Sequence, residues 1–221
     1  MDYKIGLLSF IIGATILLLS ACGTPLPTTP GTTYASLYTK FTTGNTWTWN
    51  ASNTTSIGGI PTTITGTITD LYGAQVASGT QITKSYTASG TITTTEYIRL
   101  TNPGNNLVRE DASGVVTTIL PASFAVGTVY TMLTNASGTN ITGTVTAIDS
   151  TTTVAAGTFT DVVKIDLSGS VNLGTALGTV SGSVYLSRSV GNIIYWNRID
   201  TYAGPTIITD FRELQPGYTA L

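Results

Sequence analysis

Short stretches in which threonine alternates with a hydrophobic residue recur along this chain, and they limit its fold more than any other feature. Thr46-Trp47-Thr48-Trp49 puts both tryptophans on one side, and residues 62–69 interleave threonine with isoleucine and glycine. A period of two marks the two faces of a β-strand, and no segment after Tyr34 shows the period of an amphipathic helix. Frequent β-branched residues favour strands as well. We therefore predict an all-β domain.

Further strands are predicted wherever the alternation resumes between turn-forming residues. They cover residues 91–100, 107–110, 115–120, 141–148, 159–167, 180–186, 192–201 and, as a last edge strand, 210–214. Asp111-Ala112-Ser113-Gly114 is typical of a hairpin loop, and such short connections join antiparallel neighbours. The fold class is therefore a curved antiparallel sheet, with half-barrel, barrel and sandwich all left open. Its core face should carry Trp47, Trp49, Ile68, Ile98, Val145, Val163, Ile165, Val184 and Trp196.

The N-terminus is predicted to be a leader rather than part of this sheet. An apolar run of roughly 15 residues follows Lys4, which suits a secretory signal and is short of the ~20 residues of a membrane-spanning helix. It ends in Leu19-Ser20-Ala21-Cys22, which resembles the lipobox of bacterial lipoprotein precursors. In that family the peptide is cut before the cysteine, whose sulfur then carries a diacylglyceryl group. The resemblance implies a signal peptide over residues 1–21 and lipidation of Cys22. An ordinary secretory signal with an incidental cysteine and an uncleaved helical anchor are the alternatives.

The segment after the cysteine is predicted to be a tether. Residues 22–33 contain Pro25, Pro27 and Pro30, which block both helix and sheet and keep a chain extended and solvated. Two acyl chains would hold such a protein firmly at a membrane. Because Gly23 rather than aspartate follows the cysteine, the resemblance implies a place in the bacterial cell envelope, at the outer membrane if the organism has one.

The folded domain is predicted over residues 34–221, and it contains a weak internal repeat. Residues 41–48 resemble residues 124–131, and Thr-Gly-Thr-Ile-Thr at 65–69 resembles Thr-Gly-Thr-Val-Thr at 142–146. Two related halves, about 34–120 and 121–221, would explain the matches. A threonine-rich composition could also produce them, so both explanations stay open.

Three structural motifs carry a second resemblance, which spans roughly residues 41–200. They are Gly44-x-x-Trp47-x-Trp49, then Ala156-Gly157-Thr158-Phe159 before the strand at 162–165, and Val190-Gly191-Asn192-Ile193. Their order resembles a broad group of exported bacterial β-proteins and lipoproteins with G-x-x-W-x-Y, A-G-T-F-x-x-V-K and V-G-x-V motifs. The chain departs at Trp49, where tyrosine is usual, and after Gly191. The resemblance implies a fold and no particular activity.

Composition removes most catalytic chemistry. The chain has one cysteine, no histidine and a formal net charge of −2, which exclude a Ser-His-Asp triad, a histidine-based zinc site and the basic face that nucleic acids require. Most of the carboxylates lie at predicted strand ends or turns, and Asp161 and Asp166 do not match an EF-hand calcium loop. We expect no enzyme, no cofactor and no metal.

Aromatic residues remain as candidates for ligand binding. Trp47, Trp49, Tyr195 and Trp196 could form a face that stacks on sugars or holds a lipid tail, or they could simply be core. We expect a lipid-anchored envelope protein with a non-enzymatic structural or binding role, and a lipid, a glycan or an envelope protein as ligand. The alternatives are a periplasmic lipid or lipoprotein carrier or chaperone that uses the hollow of a curved sheet, and a carbohydrate-binding module. A large apolar cavity would favour the carrier.

Overall fold

The computed structural model describes residues 33–87, 92–102, 104–174, 176–204 and 206–220. The predicted signal peptide, cleavage site, Cys22 and nearly all of the tether lie outside these residues. Within them, no helix is long and apolar enough to span a bilayer.

Strands account for nearly all the regular structure of the described residues, and the one exception is a single 3₁₀ turn at Ala35–Tyr38. The strands are β1 (Thr33–Tyr34), β2 (Thr46–Ile57), β3 (Ile60–Val76), β4 (Gly79–Tyr86), β5 (Ile92–Leu100), β6 (Leu107–Glu110), β7 (Val116–Leu120), β8 (Ser123–Phe124), β9 (Val129–Thr134), β10 (Asn140–Val154), β11 (Gly157–Leu173), β12 (Ala176–Ser187), β13 (Asn192–Tyr202) and β14 (Thr206–Leu214). The predicted all-β class and antiparallel sheet are thus confirmed.

Twelve strands form one antiparallel sheet that is nearly closed into a barrel. Its order is β7-β6-β5-β4-β3-β2-β14-β13-β12-β11-β10-β9. The sheet therefore consists of two meanders, β2 to β7 and β9 to β14. They are joined where β2, the first strand of one meander, pairs with β14, the last strand of the other. The sheet edges β7 and β9 lie side by side, and the Tyr130 hydroxyl donates to the Ile119 carbonyl oxygen at 2.7 Å across this seam.

The prediction that residues 210–214 form an edge strand is wrong. They belong to β14, which is paired along its length with β13 on one side and β2 on the other. Charged residues such as Asp210 and Arg212 are usual on sheet edges. Here both charges face the barrel interior and pair with each other, so a central position costs little.

The core lies on the inner faces of the sheet. Eight of the nine predicted core residues are buried, and Trp196 is half-buried against them. One continuous apolar cluster joins the inner faces of both meanders. Inward and outward positions alternate along each strand, as the sequence pattern requires.

One end of the barrel is closed by the N-terminal segment, and we call it the closed end. Here β5 turns into β6 and β12 into β13, and the 3₁₀ turn inserts Tyr38, which is buried. The centre of the Tyr38 ring lies 5.9 Å from that of the Phe124 ring, and the Arg188 guanidinium lies 5.7 Å from the centre of the Tyr38 ring. The described chain thus enters the domain at the closed end. The N-terminal segment does not cover the opposite end, where an opening into the barrel interior can lie.

Candidate functional site

A cavity of about 640 Å³ occupies the barrel interior, the lumen, toward the end opposite Tyr38. This volume falls within the range of about 300–1,000 Å³ that is usual for ligand sites. Strands β2 to β5, β13 and β14 form its wall through residues that share the inward-facing register. They include Ala51, Asn53, Ile64, Ile68, Tyr86, Ile92, Arg198, Asp200, Ile208, Asp210 and Arg212.

The wall of this cavity on the side of β3 to β5 is apolar. Ile64 and Ile68 lie four residues apart on the inward face of β3. Tyr86 of β4 and Ile92 of β5 line the same part of the wall. Tyr86 is half-buried and packs on the core. This part of the wall suits a hydrocarbon chain, because it offers contact area with few polar groups to desolvate.

The opposite side of the cavity carries two internal ion pairs. Arg198 donates to both carboxylate oxygens of Asp200 at 2.8 Å, and Arg212 donates to Asp210 Oδ2 at 2.8 Å. Residues two apart on a strand share a face, so each pair lies side by side in the lumen. Trp196 Nε1 also donates to Asp210 Oδ2, at 3.1 Å, and its ring lies 5.6 Å from the Arg212 guanidinium.

Deeper in the lumen, four charged side chains form a buried cluster, one on each of the strands β3 to β6. Lys84 Nζ lies 2.6 Å from Glu96 Oε1, and Arg109 reaches Asp70 Oδ2 at 2.6 Å. Arg109 also donates to the second oxygen of Glu96, so it bridges the two acids. Alternating signs on successive strands make the cluster electrically neutral.

Burial and neighbouring charges set the ionisation of this cluster. Burial lowers the pKa of Lys84 to about 8, and the positive charge of Arg109 adds to the effect. Burial alone would raise the pKa of Glu96, but the charges of Arg109 and Lys84 outweigh it and the pKa falls below its usual value. Burial would likewise lower the pKa of Arg109, whereas Asp70 and Glu96 raise it beyond its usual value. Glu96 and Arg109 therefore stay ionised at neutral pH.

The cluster and the large cavity are neighbours within the barrel. A smaller cavity of about 20 Å³ lies between them, lined by Asp70, Lys84 and Arg109 on one side and by Trp196 and Arg212 on the other. Ile68 and Arg212 line both cavities. The charged cluster therefore acts as the floor of the space that a ligand would occupy.

Four isoleucines surround the far end of the cavity, and we call them the apolar rim. Ile57 and Ile60 flank the tight Gly58-Gly59 turn, and they are 64% and 75% exposed. Ile64 and Ile92, also exposed, line the cavity itself. All four have the inward-facing register, so the rim continues the apolar wall out to solvent.

The four aromatic residues that were predicted as a ligand face do not form one face, although Trp49 and Trp196 both line the cavity of about 20 Å³. Trp47 is fully buried, with its ring 4.3 Å from that of Tyr72, and Trp49 is buried and donates to the Ile193 carbonyl oxygen at 3.0 Å. Both are parts of the core. Trp196 faces the lumen beside the paired charges.

Tyr195 lies on the outer surface of the barrel instead. Its ring stacks on Tyr185 at 4.8 Å and meets the edge of Phe211 at 5.5 Å. Lys164 Nζ lies 5.2 Å from the centre of the Tyr185 ring. The result is a cross-strand row of aromatic residues over β12, β13 and β14.

Sequence reasoning missed the charged residues of the lumen. Asp70 directly follows the predicted strand at 62–69, and Glu96 lies within the predicted strand at 91–100, but neither was predicted to be buried. Both are buried in mid-strand. A signal was present in Arg198-x-Asp200 and Asp210-x-Arg212, since opposite charges two apart on a strand must share one face. Over the part of the chain that the structure describes, no three acidic or cysteine side chains gather as a metal site.

Comparison of the chain with protein-family models, with curated proteins and with solved structures finds no match.

Proposed function

We propose that this chain is a lipid-anchored protein of the bacterial cell envelope whose domain binds an amphipathic lipid in its lumen and carries it without chemical change. The observation that carries the proposal is the cavity of about 640 Å³ with an apolar wall of Ile64, Ile68, Tyr86 and Ile92. A structural protein needs a filled core and gains nothing from such a space. A lipid carrier needs a preformed, largely apolar cavity with a few polar groups.

The apolar rim supports the same proposal. Exposed aliphatic side chains of this kind are normally scattered singly on a soluble protein. Here Ile57 and Ile60 project together from a hairpin tip, and Ile64 and Ile92 continue inward to the cavity wall. A hydrocarbon chain that leaves a membrane would thus meet apolar surface along its whole path into the lumen.

Blocking the cavity tests this proposal. Ala51→Phe places a ring in the lumen, whereas Asn50→Phe places the same ring on the exposed outer face one residue earlier. We expect a naphthylamine probe that fluoresces in apolar surroundings to bind the wild type and Asn50→Phe. Binding to Ala51→Phe should fall by about tenfold or more. Equal binding to both variants, with unfolding transitions intact, would show that the lumen is not the site.

The anchor requires its own test because Cys22 lies outside the described residues. Cys22→Ala should abolish lipid attachment and release the domain from the membrane fraction. Mass spectrometry of the wild-type protein should show cleavage before Cys22 and the added acyl mass. A Cys22→Ala protein that stays in the membrane while the wild-type mass matches the unprocessed chain would rule out the lipobox interpretation.

Glycan binding on the outer face is a second candidate. The row of Tyr185, Tyr195 and Phe211 presents stacked rings, and a shallow groove lined by Asn50 and Thr65 borders Phe211. Aromatic faces flanked by amide and hydroxyl groups suit sugar rings. Tyr195→Ala should remove retention on immobilised cell-wall glycan and leave probe binding in the lumen unchanged. Retention that survives this substitution would exclude the aromatic row as its cause.

A further inference from the structure

The polar side of the lumen contains no unpaired charge among the described residues that line it. Arg198 uses Nε and one terminal nitrogen on the two oxygens of Asp200, the bidentate arrangement in which an arginine would otherwise grip a carboxylate or phosphate ligand. Asp200 is 8% exposed, so solvent screens this pair weakly. The position that an anionic ligand would need on Arg198 is therefore already filled by the protein.

Arg212 is neutralised in a similar way. It donates to Asp210 Oδ2 at 2.8 Å and to Oδ1 at 3.4 Å, and the Trp196 ring covers its face at 5.6 Å. An anion approaching Arg212 would meet Asp210 as well, and like charges in a poorly solvated space repel strongly. The second arginine therefore offers no better anchor for an anion than the first.

The buried cluster at the base of the lumen also has no net charge. Arg109 and Lys84 pair with Asp70 and Glu96 within the buried cluster. Over the described residues of the cluster and the two pairs, four basic side chains thus face four acidic ones. A cavity built for a fatty-acid anion would be expected to carry a surplus of positive charge, and this one carries none.

We infer that the lumen selects an amphiphile without net charge, with an acyl or alkyl body and a hydroxyl, ester or amide head, over a fatty-acid anion. This inference rests on the proposed function and names the ligand class of the same site. A hydroxyl or amide head can accept from the guanidinium edges and donate to the carboxylates without breaking either pair, and an ester head can accept in the same way. A carboxylate would have to displace Asp200 or Asp210, or sit beside it unpaired.

The test compares ligands that share one chain length and differ in the head group. Dodecanol and monododecanoylglycerol represent the neutral class, and dodecanoate, at a pH where it is ionised, represents the anionic class. Each displaces the naphthylamine probe from the wild-type protein in buffer of low ionic strength. We expect the two neutral ligands to bind at least about tenfold more tightly than dodecanoate.

Two substitutions should then reduce or remove the preference, because each releases one arginine from its carboxylate partner. Asp200→Asn and Asp210→Asn keep the size of the side chain and remove its charge, so dodecanoate should gain about tenfold in affinity while dodecanol changes little. The matched control is Asp149→Asn, which frees Arg188 of an exposed pair outside the lumen and should alter neither ligand. Because either lumen variant could lose stability, both are checked by urea unfolding before binding is measured.

The outcomes separate the two proposals. If the wild type binds dodecanoate as tightly as dodecanol, or if both folded lumen variants keep the wild-type preference, the inference about charge is wrong and the lumen still binds lipid. If none of these ligands displaces the probe, or the probe itself does not bind, the proposed function fails and the inference fails with it.

Discussion

Asp70, Lys84, Glu96 and Arg109 show how this barrel tolerates charge in its interior. Each lies on a different one of four neighbouring strands, and Arg109 joins the two acids. Moving such groups out of water is costly, and mutual attraction offsets the cost only while every partner is present. The cluster is therefore more sensitive to the loss of one member than its net neutrality suggests.

Removal of Arg109 tests this dependence. Arg109→Met leaves Asp70 and Glu96 without their shared partner, and we expect the free energy of unfolding to fall by about 3–5 kcal/mol in urea titrations. Arg99→Met is the control, because Arg99 pairs with Glu110 at 2.8 Å where both side chains are about a quarter to a third exposed. Such a pair contributes about 1 kcal/mol or less. Equal losses for both variants would contradict the account of the cluster.

The pKa of Lys84 predicts how stability changes with pH. Because burial lowers this pKa from 10.5 to about 8, the unfolded chain binds more protons than the folded one between these values. The contribution of Lys84 to the free energy of unfolding should therefore rise as the pH increases from about 8 toward 10.5. The charged groups of the other strands that face it are Asp70, Glu96, Arg109 and Arg212.

Lys84→Met isolates this effect. Burial raises the pKa values of Tyr72 and Tyr130. Above about pH 10 these two residues therefore lower the free energy of unfolding as the pH rises, and they do so in both proteins. The difference in the free energy of unfolding between wild type and Lys84→Met should therefore change with pH above about 8. A difference that is constant from neutral pH to about pH 10 would contradict the lowered pKa.

Alternation in the sequence predicted ten of the fourteen described strands and left β1, β4, β8 and β9 unpredicted. β6 was predicted with its observed bounds, and β7 and β13 were predicted within one residue at each end. β4 and β9 were missed because Gly79–Tyr86 inserts lysine and glutamine among its apolar positions and Val129–Thr134 is too short for a clear pattern. Alternation reports which face is apolar, and it cannot show that a charge such as Lys84 has a partner on another strand.

Close approach between strands depends on Gly182 of β12. Its φ is +148°, and a Cβ at this position would overlap the backbone oxygen of Asn197 on β13. We expect Gly182→Ala to lower the free energy of unfolding by about 1–3 kcal/mol or more, because the strand must shift. Gly73→Ala is the control, since a Cβ there meets its nearest atom at 3.6 Å and the φ is ordinary. Urea titration of both variants makes the comparison, and a stable Gly182→Ala protein would contradict it.

The β2–β3 hairpin tip predicts how a lipid enters the lumen. Replacing Ile57 and Ile60 by serine should slow the transfer of a fluorescent acyl ligand from vesicles by about tenfold, because the apolar path is interrupted. Affinity for the same ligand in solution should stay unchanged, since neither residue lines the cavity. Val126→Ser is the control, a residue 63% exposed in the loop before β9, at the closed end. Equal transfer by all three proteins would argue against entry over the rim.

The described domain is a nearly closed ring of strands whose seam, between β7 and β9, falls in the middle of the sequence. Each meander has six strands, and the repeated segments at 65–69 and 142–146 fall on the second strand of each, β3 and β10. Descent of the two meanders from one ancestor stays a prediction. The pairing of β2 with β14 could not be predicted from sequence, because alternation identifies strands without identifying distant partners.

Opening of the ring should occur at the seam between β7 and β9. Over the described residues, these two strands have a ladder partner on one side only within the large sheet. We expect their amides to exchange with deuterium faster than those of β2 and β14, which are paired on both sides. Tyr130→Phe removes the 2.7 Å bond to Ile119 and should accelerate exchange in β7 and β9 only. Uniform protection around the ring, measured by mass spectrometry or NMR, would show that it does not open there.

The join between β2 and β14 has a consequence for how the chain matures. The first long strand to leave a ribosome or a translocation channel finds its second neighbour only when Thr206–Leu214, near the other end of the described chain, has arrived. Until then Thr46–Ile57 presents a free twelve-residue edge, rich in β-branched residues and without charge, which is the kind of template that recruits other chains. Aggregation through this edge is therefore a hazard for the nascent chain until the last strand has been added.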